Sequence, residues 1–122
     1  MNEKLLSLGG AGYCGGRSCA GEVTLALQAM SGKWAVPVLE GLYFAGGSDR
    51  FRSLQRRIGA ISQKELARQL HKLVEHRIVR RLSDEGGREV TYGLTDSGLQ
   101  LMGRLEALGD WTKSCRRGMS SD

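Results

Sequence analysis

The sequence predicts an α+β domain that is mostly helical and carries one two-stranded β-hairpin. Three observations lead there. Apolar residues recur at three- and four-residue spacing over most of the stretch from Glu22 to Trp111. Ser62-Gln63-Lys64-Glu65 has the form of a helix capping box, a serine followed three residues later by a glutamate. Two short alternating runs, Ile78–Leu82 and Glu89–Leu94, flank a polar loop containing Gly86-Gly87, a dipeptide suited to the positive φ of a hairpin turn. The chain has 122 residues, the length of one domain, and a domain of that size can bury a core without disulfide or metal staples.

Taken in order, residues 9–21 contain six glycines, and such a stretch loses too much backbone entropy to order unaided. Residues 1–21 are therefore expected to form a flexible arm. Val23, Leu25, Leu27 and Met30 mark a first helix closed by Ser31-Gly32. A second runs from about Trp34 to Tyr43 on Val36, Leu39, Leu42 and Tyr43. Pro37 fits only its first turn, where backbone N–H groups lack helical partners anyway. Ala45–Asp49 reads as a turn, and Phe51, Leu54 and Ile58 as a short third helix.

The capped helix after Ser62 has Leu66, Leu70, Leu73 and Val74 at i, i+4, i+7 and i+8, one buried stripe. The hairpin follows, and Thr95 caps a last helix bearing Leu99, Met102, Leu105, Leu108 and Trp111. That apolar face is broad for one small domain, and either packing within the chain or a helical dimer contact accounts for it. Three helices, a basic capped helix, a hairpin and a final helix describe a winged helix-turn-helix. It would span residues 22–113, with 114–122 as a tail. Helix three and the capped helix, joined across Gly59-Ala60-Ile61, form the helix-turn-helix pair, and the hairpin is the wing.

Charge is unevenly placed. Eighteen Lys and Arg against thirteen Asp and Glu give +5 overall. Residues 50–81 hold ten of the basic residues against only Glu65 and Glu75, a local +8, so the remainder sums to −3. A swing of this size in one small domain points to a polyanionic partner. Gln63, Lys64, Arg68, Gln69 and Lys72 lie off the apolar stripe of the capped helix, and Arg, Lys and Gln bond base edges and phosphates in a major groove. With the helix cap Ser62, they form the candidate set on this helix. Arg52, Arg56 and Arg57 on the preceding helix would hold the phosphate backbone. Arg88 in the hairpin loop would enter or line the minor groove.

Other chemistries find little support. Cys14, Cys19 and Cys115 do not make a secreted disulfide framework, and Cys14 and Cys19 are loosely spaced for zinc, so no metal is expected. Cys-x-x-Cys is absent, and no Ser-His-Asp or Cys-His set can be assembled. His71 and His76 are five apart, not the i, i+4 of a helical metal pair. Neither an enzyme nor a bound cofactor is expected. No apolar run approaches the roughly 20 residues of a membrane span, and Met1–Leu8 is too short and polar for a secretory signal. The expectation is a cytoplasmic protein with no membrane partner.

These residues resemble the HxlR-type bacterial transcriptional regulators, relatives of the MarR-type winged-helix proteins, over roughly residues 19–112. The similarity rests on Gly32-Lys33-Trp34, Phe51-Arg52-Ser53-Leu54 and Ile61-Ser62-Gln63-Lys64-Glu65-Leu66, followed by Leu70 and Leu73. It continues with Tyr92-Gly93-Leu94-Thr95-Asp96-Ser97-Gly98, which matches the family's Tyr-x-Leu-Thr-x-x-Gly, and with Asp110-Trp111. The resemblance implies a homodimer joined through its terminal helices, for which Leu105, Leu108 and Trp111 are the candidate contacts here. It also implies a recognition helix in the major groove of double-stranded DNA and a wing over the adjacent minor groove. Many members carry a cysteine before the first helix that senses oxidants or electrophiles. Cys19 stands near that place, followed by Ala20 where the family has proline, and Cys14 lies upstream as a second thiol. The function expected is a dimeric, sequence-specific repressor acting at a palindromic operator. A sequence-indifferent architectural or RNA-binding module is the alternative, although few aromatics lie among the basic residues for bases to stack on.

Overall fold

A computed structural model of the protein describes residues 20–83 and 89–121. The chain divides after Ser31 into two units. The first contributes one described helix, α1 (Ala20–Ala29), whose Val23, Leu25 and Leu27 are all exposed.

The second unit holds the remaining elements in the order α2 (Ala35–Phe44), β1 (Ser48–Arg50), α3 (Phe51–Ile58), α4 (Gln63–Glu75), β2 (Val79–Ser83), β3 (Val90–Leu94) and α5 (Asp96–Ser121). Helix α2 is the hub. It buries Ala35, Val38, Leu39 and Leu42 and touches α3, α4, α5 and the sheet. Pro37 is its third residue, inside the first turn as the sequence requires. Gly41 lets α3 approach closely, since a Cβ there would come within 2.7 Å of Leu54 Cδ1. Around α2 the core is completed by Leu54, Ile61, Leu66, Leu70, Leu73, Ile78, Val79, Leu94 and Met102. The stripe read from the capped helix supplies three of these.

The sheet corrects the expected two-stranded wing, because it has three antiparallel strands in the order β1-β3-β2. Strand β1 occupies the end of the segment read as a turn and pairs Ser48 with Gly93, Asp49 with Tyr92 and Arg50 with Thr91. Three polar residues are too few to show an alternation in sequence. What makes the strand is its approach: Gly46 and Gly47 adopt φ of 93° and 106°, a region open to glycine. The Gly47 carbonyl then accepts a 2.8 Å bond from the Leu94 N–H. The expected hairpin is present one residue further on, with Val79 opposite Leu94 and Ser83 opposite Val90.

Helix α5 also continues to Ser121, through the segment read as a tail. Its start is fixed by Thr95, whose hydroxyl accepts the Gly98 N–H at 3.0 Å.

Candidate nucleic-acid interface

The turn between α3 and α4 is held by short-range bonds. Gly59 takes φ 96° and donates its N–H to the Gln55 carbonyl at 2.9 Å. The Gln55 side chain donates to the Ile61 carbonyl at 3.2 Å, and Ile61 itself is buried. These bonds fix the turn that joins the two helices. Ser62 then caps α4 by accepting the Glu65 N–H at 3.1 Å. A capping-box glutamate reaches back to the N–H of the cap residue, but the Glu65 carboxylate instead holds Arg68 Nη1 at 3.2 and 3.5 Å.

Gln63, Lys64 and Arg68 are exposed on α4, as are Arg52 and Arg56 on α3. Lys72 is half-buried. Arg57 is exposed but tethered, with its Nε 3.5 Å from Asp49 Oδ2. Arg52 and Arg56 line a polar cleft of about 660 Å³ with Arg50, Ser53, Glu89 and Thr91.

One expected contact residue, Gln69, is buried. Gln69 is 8% exposed and faces inward, and its Oε1 is buried with no hydrogen-bond partner among the described residues. Gly32 lies over it, since a Cβ there would stand 3.1 Å from Gln69 Nε2. Gln69 follows Leu66 by three and precedes Leu73 by four, so it falls on the edge of the apolar stripe; its polarity alone placed it outside. Arg88, Cys14 and Cys19 lie outside the described residues. Cys115 is exposed on α5, and no group of three potential metal ligands occurs among the described residues.

Sequence reading missed Arg50 and Glu89, whose side chains meet at 3.1 Å and join β1 to the residue that precedes β3. Arg50 is the first cation of the basic window, but without β1 nothing in the sequence places it at the cleft. On α5, Leu105 is half-buried while Leu108 and Trp111 are 53% and 63% exposed. Leu105 and Leu108 line an apolar groove of about 570 Å³ with Val36, Tyr43, Phe44 and Met102.

A tied helix pair with an exposed basic face, followed by a small antiparallel sheet, defines the winged helix-turn-helix class of transcriptional regulators. Residues 29–119 match the HxlR-like helix-turn-helix family, and the chain belongs to it. It is 34% identical over 86 residues to the HTH-type transcriptional regulator YtfH of Escherichia coli K12, which covers 70% of this chain and 67% of that one. Among solved structures, it is similar to a MarR-family transcriptional regulator from Enterococcus faecalis V583, with TM-score 0.79 and 25% identity over 88% of this chain and 97% of that one. It is also similar to YodB from B. subtilis, solved after diamide treatment and bound to quinone; the diamide-treated form gives TM-score 0.66 and 28% identity over 76% and 91% of the two chains. The family consists of DNA-binding transcriptional regulators, not enzymes. No described helix is long and apolar enough to cross a membrane.

Proposed function

We propose that the protein is a homodimeric, sequence-specific repressor that binds a palindromic operator and responds to oxidants through Cys19, with Cys14 as the resolving thiol. The observation that carries the DNA reading is the exposed row Gln63, Lys64 and Arg68 on a capped helix joined to α3 by a hydrogen-bonded turn. Such a helix enters a major groove, where side chains of these types bond base edges. Arg52 and Arg56, with Arg57 held by Asp49, supply the backbone contacts, which fix register without reading sequence. Ser62 serves as the cap that presents the start of α4, Lys72 follows one helical turn beyond Arg68, and Arg88 would enter or line the minor groove.

The dimer reading is supported by apolar surface a single copy leaves uncovered. Leu108, Trp111 and the α2–α5 groove are exposed in the second unit, and Val23, Leu25 and Leu27 of α1 are exposed in the first. Burying a leucine is worth about 1.5–3 kcal/mol. Two copies related by a two-fold axis would present their recognition helices about 34–36 Å apart, which gives the operator its symmetry.

For the response, hydrogen peroxide converts the Cys19 thiol to a sulfenic acid with release of water, and Cys14 condenses with it to a disulfide, releasing a second water. The similarity to YodB supports this part. The test is selection of duplexes from a random library by the purified protein, repeated reduced and after peroxide or diamide. A palindromic consensus bound only by reduced protein, with Cys19→Ser insensitive to oxidant, is expected. Sequence-indifferent coating would overturn the DNA reading, and an oxidant effect equal in Cys19→Ser would overturn the redox one.

A further inference from the structure

We propose that Glu65 is a positioning residue for base reading by Arg68, so that the two side chains act as one specificity unit near the start of α4. The inference rests on α4 being the recognition helix. Ser62 alone provides the side-chain cap to the Glu65 N–H, which leaves the Glu65 carboxylate to reach forward. Both of its oxygens lie within 3.5 Å of Arg68 Nη1. A guanidinium carries five N–H donors in a fixed plane. With Nη1 committed to Glu65, the edge formed by Nε and Nη2 remains as an intact two-donor fork. That edge matches O6 and N7 of a guanine, the pattern arginine reads in a major groove.

Chemistry sets this pair apart from its neighbours. Lys64 and Lys72 are flexible point charges with no planar fork, so Arg68 is the only side chain of α4 able to read a base by this geometry. An arginine left free spreads over many rotamers and drifts toward the nearest phosphate; one held by a carboxylate on its own helix has lost that freedom before DNA arrives. Glu65 has an opposite effect on general binding, since its negative charge on the DNA-facing surface opposes phosphates. It lies in the first turn of α4, where the helix dipole favours a carboxylate, so its presence costs the fold nothing. A surface ion pair with only a structural role would lower stability slightly on removal and leave every base preference as it was.

The experiment separates these roles. Wild-type protein first selects its preferred duplex from a random library. Wild type, Glu65→Gln, Glu65→Asp, Arg68→Ala, Arg68→Lys and the Glu65→Gln/Arg68→Ala double variant are then titrated on that duplex, on its single-base-pair variants and on a scrambled duplex. Arg68→Ala and Arg68→Lys should lose about five- to 150-fold of discrimination at one guanine position. Glu65→Gln should lose roughly two- to fivefold at that same position only, the range an exposed pair supports, while binding the scrambled duplex more tightly. Glu65→Asp, which keeps the charge and shortens the reach, should fall between. In the Arg68→Ala background Glu65→Gln should change no base preference. Unaltered discrimination in a folded Glu65→Gln protein overturns the proposal. Uniform weakening by Arg68→Ala on all duplexes makes Arg68 a phosphate contact and overturns it too, with α4 still at the DNA. No change in any Arg68 variant would instead remove α4 from the interface and take the functional reading with it.

Discussion

Replacing Gly98 with alanine tests how α5 is joined to the sheet. Thr95 donates its N–H to the Ile78 carbonyl at 3.0 Å, and its hydroxyl lies 2.7 Å from the Arg77 carbonyl and 3.1 Å from that of Ile78. The same hydroxyl accepts the Gly98 N–H. The first turn of α5 is thereby drawn onto the connection between α4 and β2, so closely that a Cβ on Gly98 would collide with the Ile78 carbonyl oxygen and come within 3.2 Å of Leu94 Cδ2. That oxygen is held by Thr95 and cannot move aside without loosening the joint. Overpacking of this kind costs about 1–3 kcal/mol, and a weakened hydrogen bond or two adds about 1 kcal/mol each. Better helix propensity returns about 1 kcal/mol. Gly98→Ala should therefore lose about 2–3 kcal/mol, a fall in Tm of about 6–12 °C for a domain of this size. Gly103, in the same helix, has nothing within 4 Å of its would-be Cβ, and Gly103→Ala should gain about 0.5–1 kcal/mol from propensity alone. Urea unfolding followed by circular dichroism, at one fixed protein concentration, measures both. A Gly98→Ala protein as stable as wild type, or a pair shifting in the same direction, would refute the packing just described.

Gln69→Leu should stabilise the protein by about 1 kcal/mol with DNA affinity unchanged, because it removes a buried oxygen that has no partner among the described residues; a loss of stability in thermal unfolding would show that the amide is satisfied. Arg52→Ala and Arg56→Ala should each weaken binding to all duplexes alike and reduce the slope of log K against log salt by about one unit. A sequence-dependent loss would make either a base contact. Leu108→Glu should shift the protein toward monomer in sedimentation and weaken operator binding with it, and a variant that remains fully dimeric would place the interface elsewhere.

The helices were legible because each announces itself twice, by an apolar period and by a boundary residue. Ser62 and Thr95 both cap where the sequence puts them, and Pro37 locates the first turn of α2. Strand β1 was not legible, since its partner is 41 residues away at Thr91 for Arg50 and no local pattern encodes that pairing. The direction taken by the Glu65 carboxylate escaped for a related reason. Ser-x-x-Glu specifies where a helix starts, but an arginine three residues on competes for the same oxygens, and here the arginine wins. Gln69 shows the limit of polarity as a guide to exposure, because position on the helix placed it inward and residue type suggested the reverse.

The basic window also means less, and more, than its sum. Of the ten cations between residues 50 and 81, Arg50 meets Glu89, Arg57 meets Asp49 and Arg68 meets Glu65. Two of those carboxylates lie outside the window, so a count along the chain could not see them. None of the three pairs is buried on both sides, and pairs of that kind add little to stability. Their effect falls on orientation: Arg57 binds α3 to β1, Arg50 binds β1 to the residue that precedes β3, and Arg68 is turned along α4. A surface of bare cations would attract any duplex, with an affinity set by salt rather than sequence. Carboxylates set among the arginines lower that indiscriminate attraction and leave guanidinium edges in fixed places. Discrimination between operator and bulk DNA depends on the difference between the two affinities, and lowering the second is as effective as raising the first.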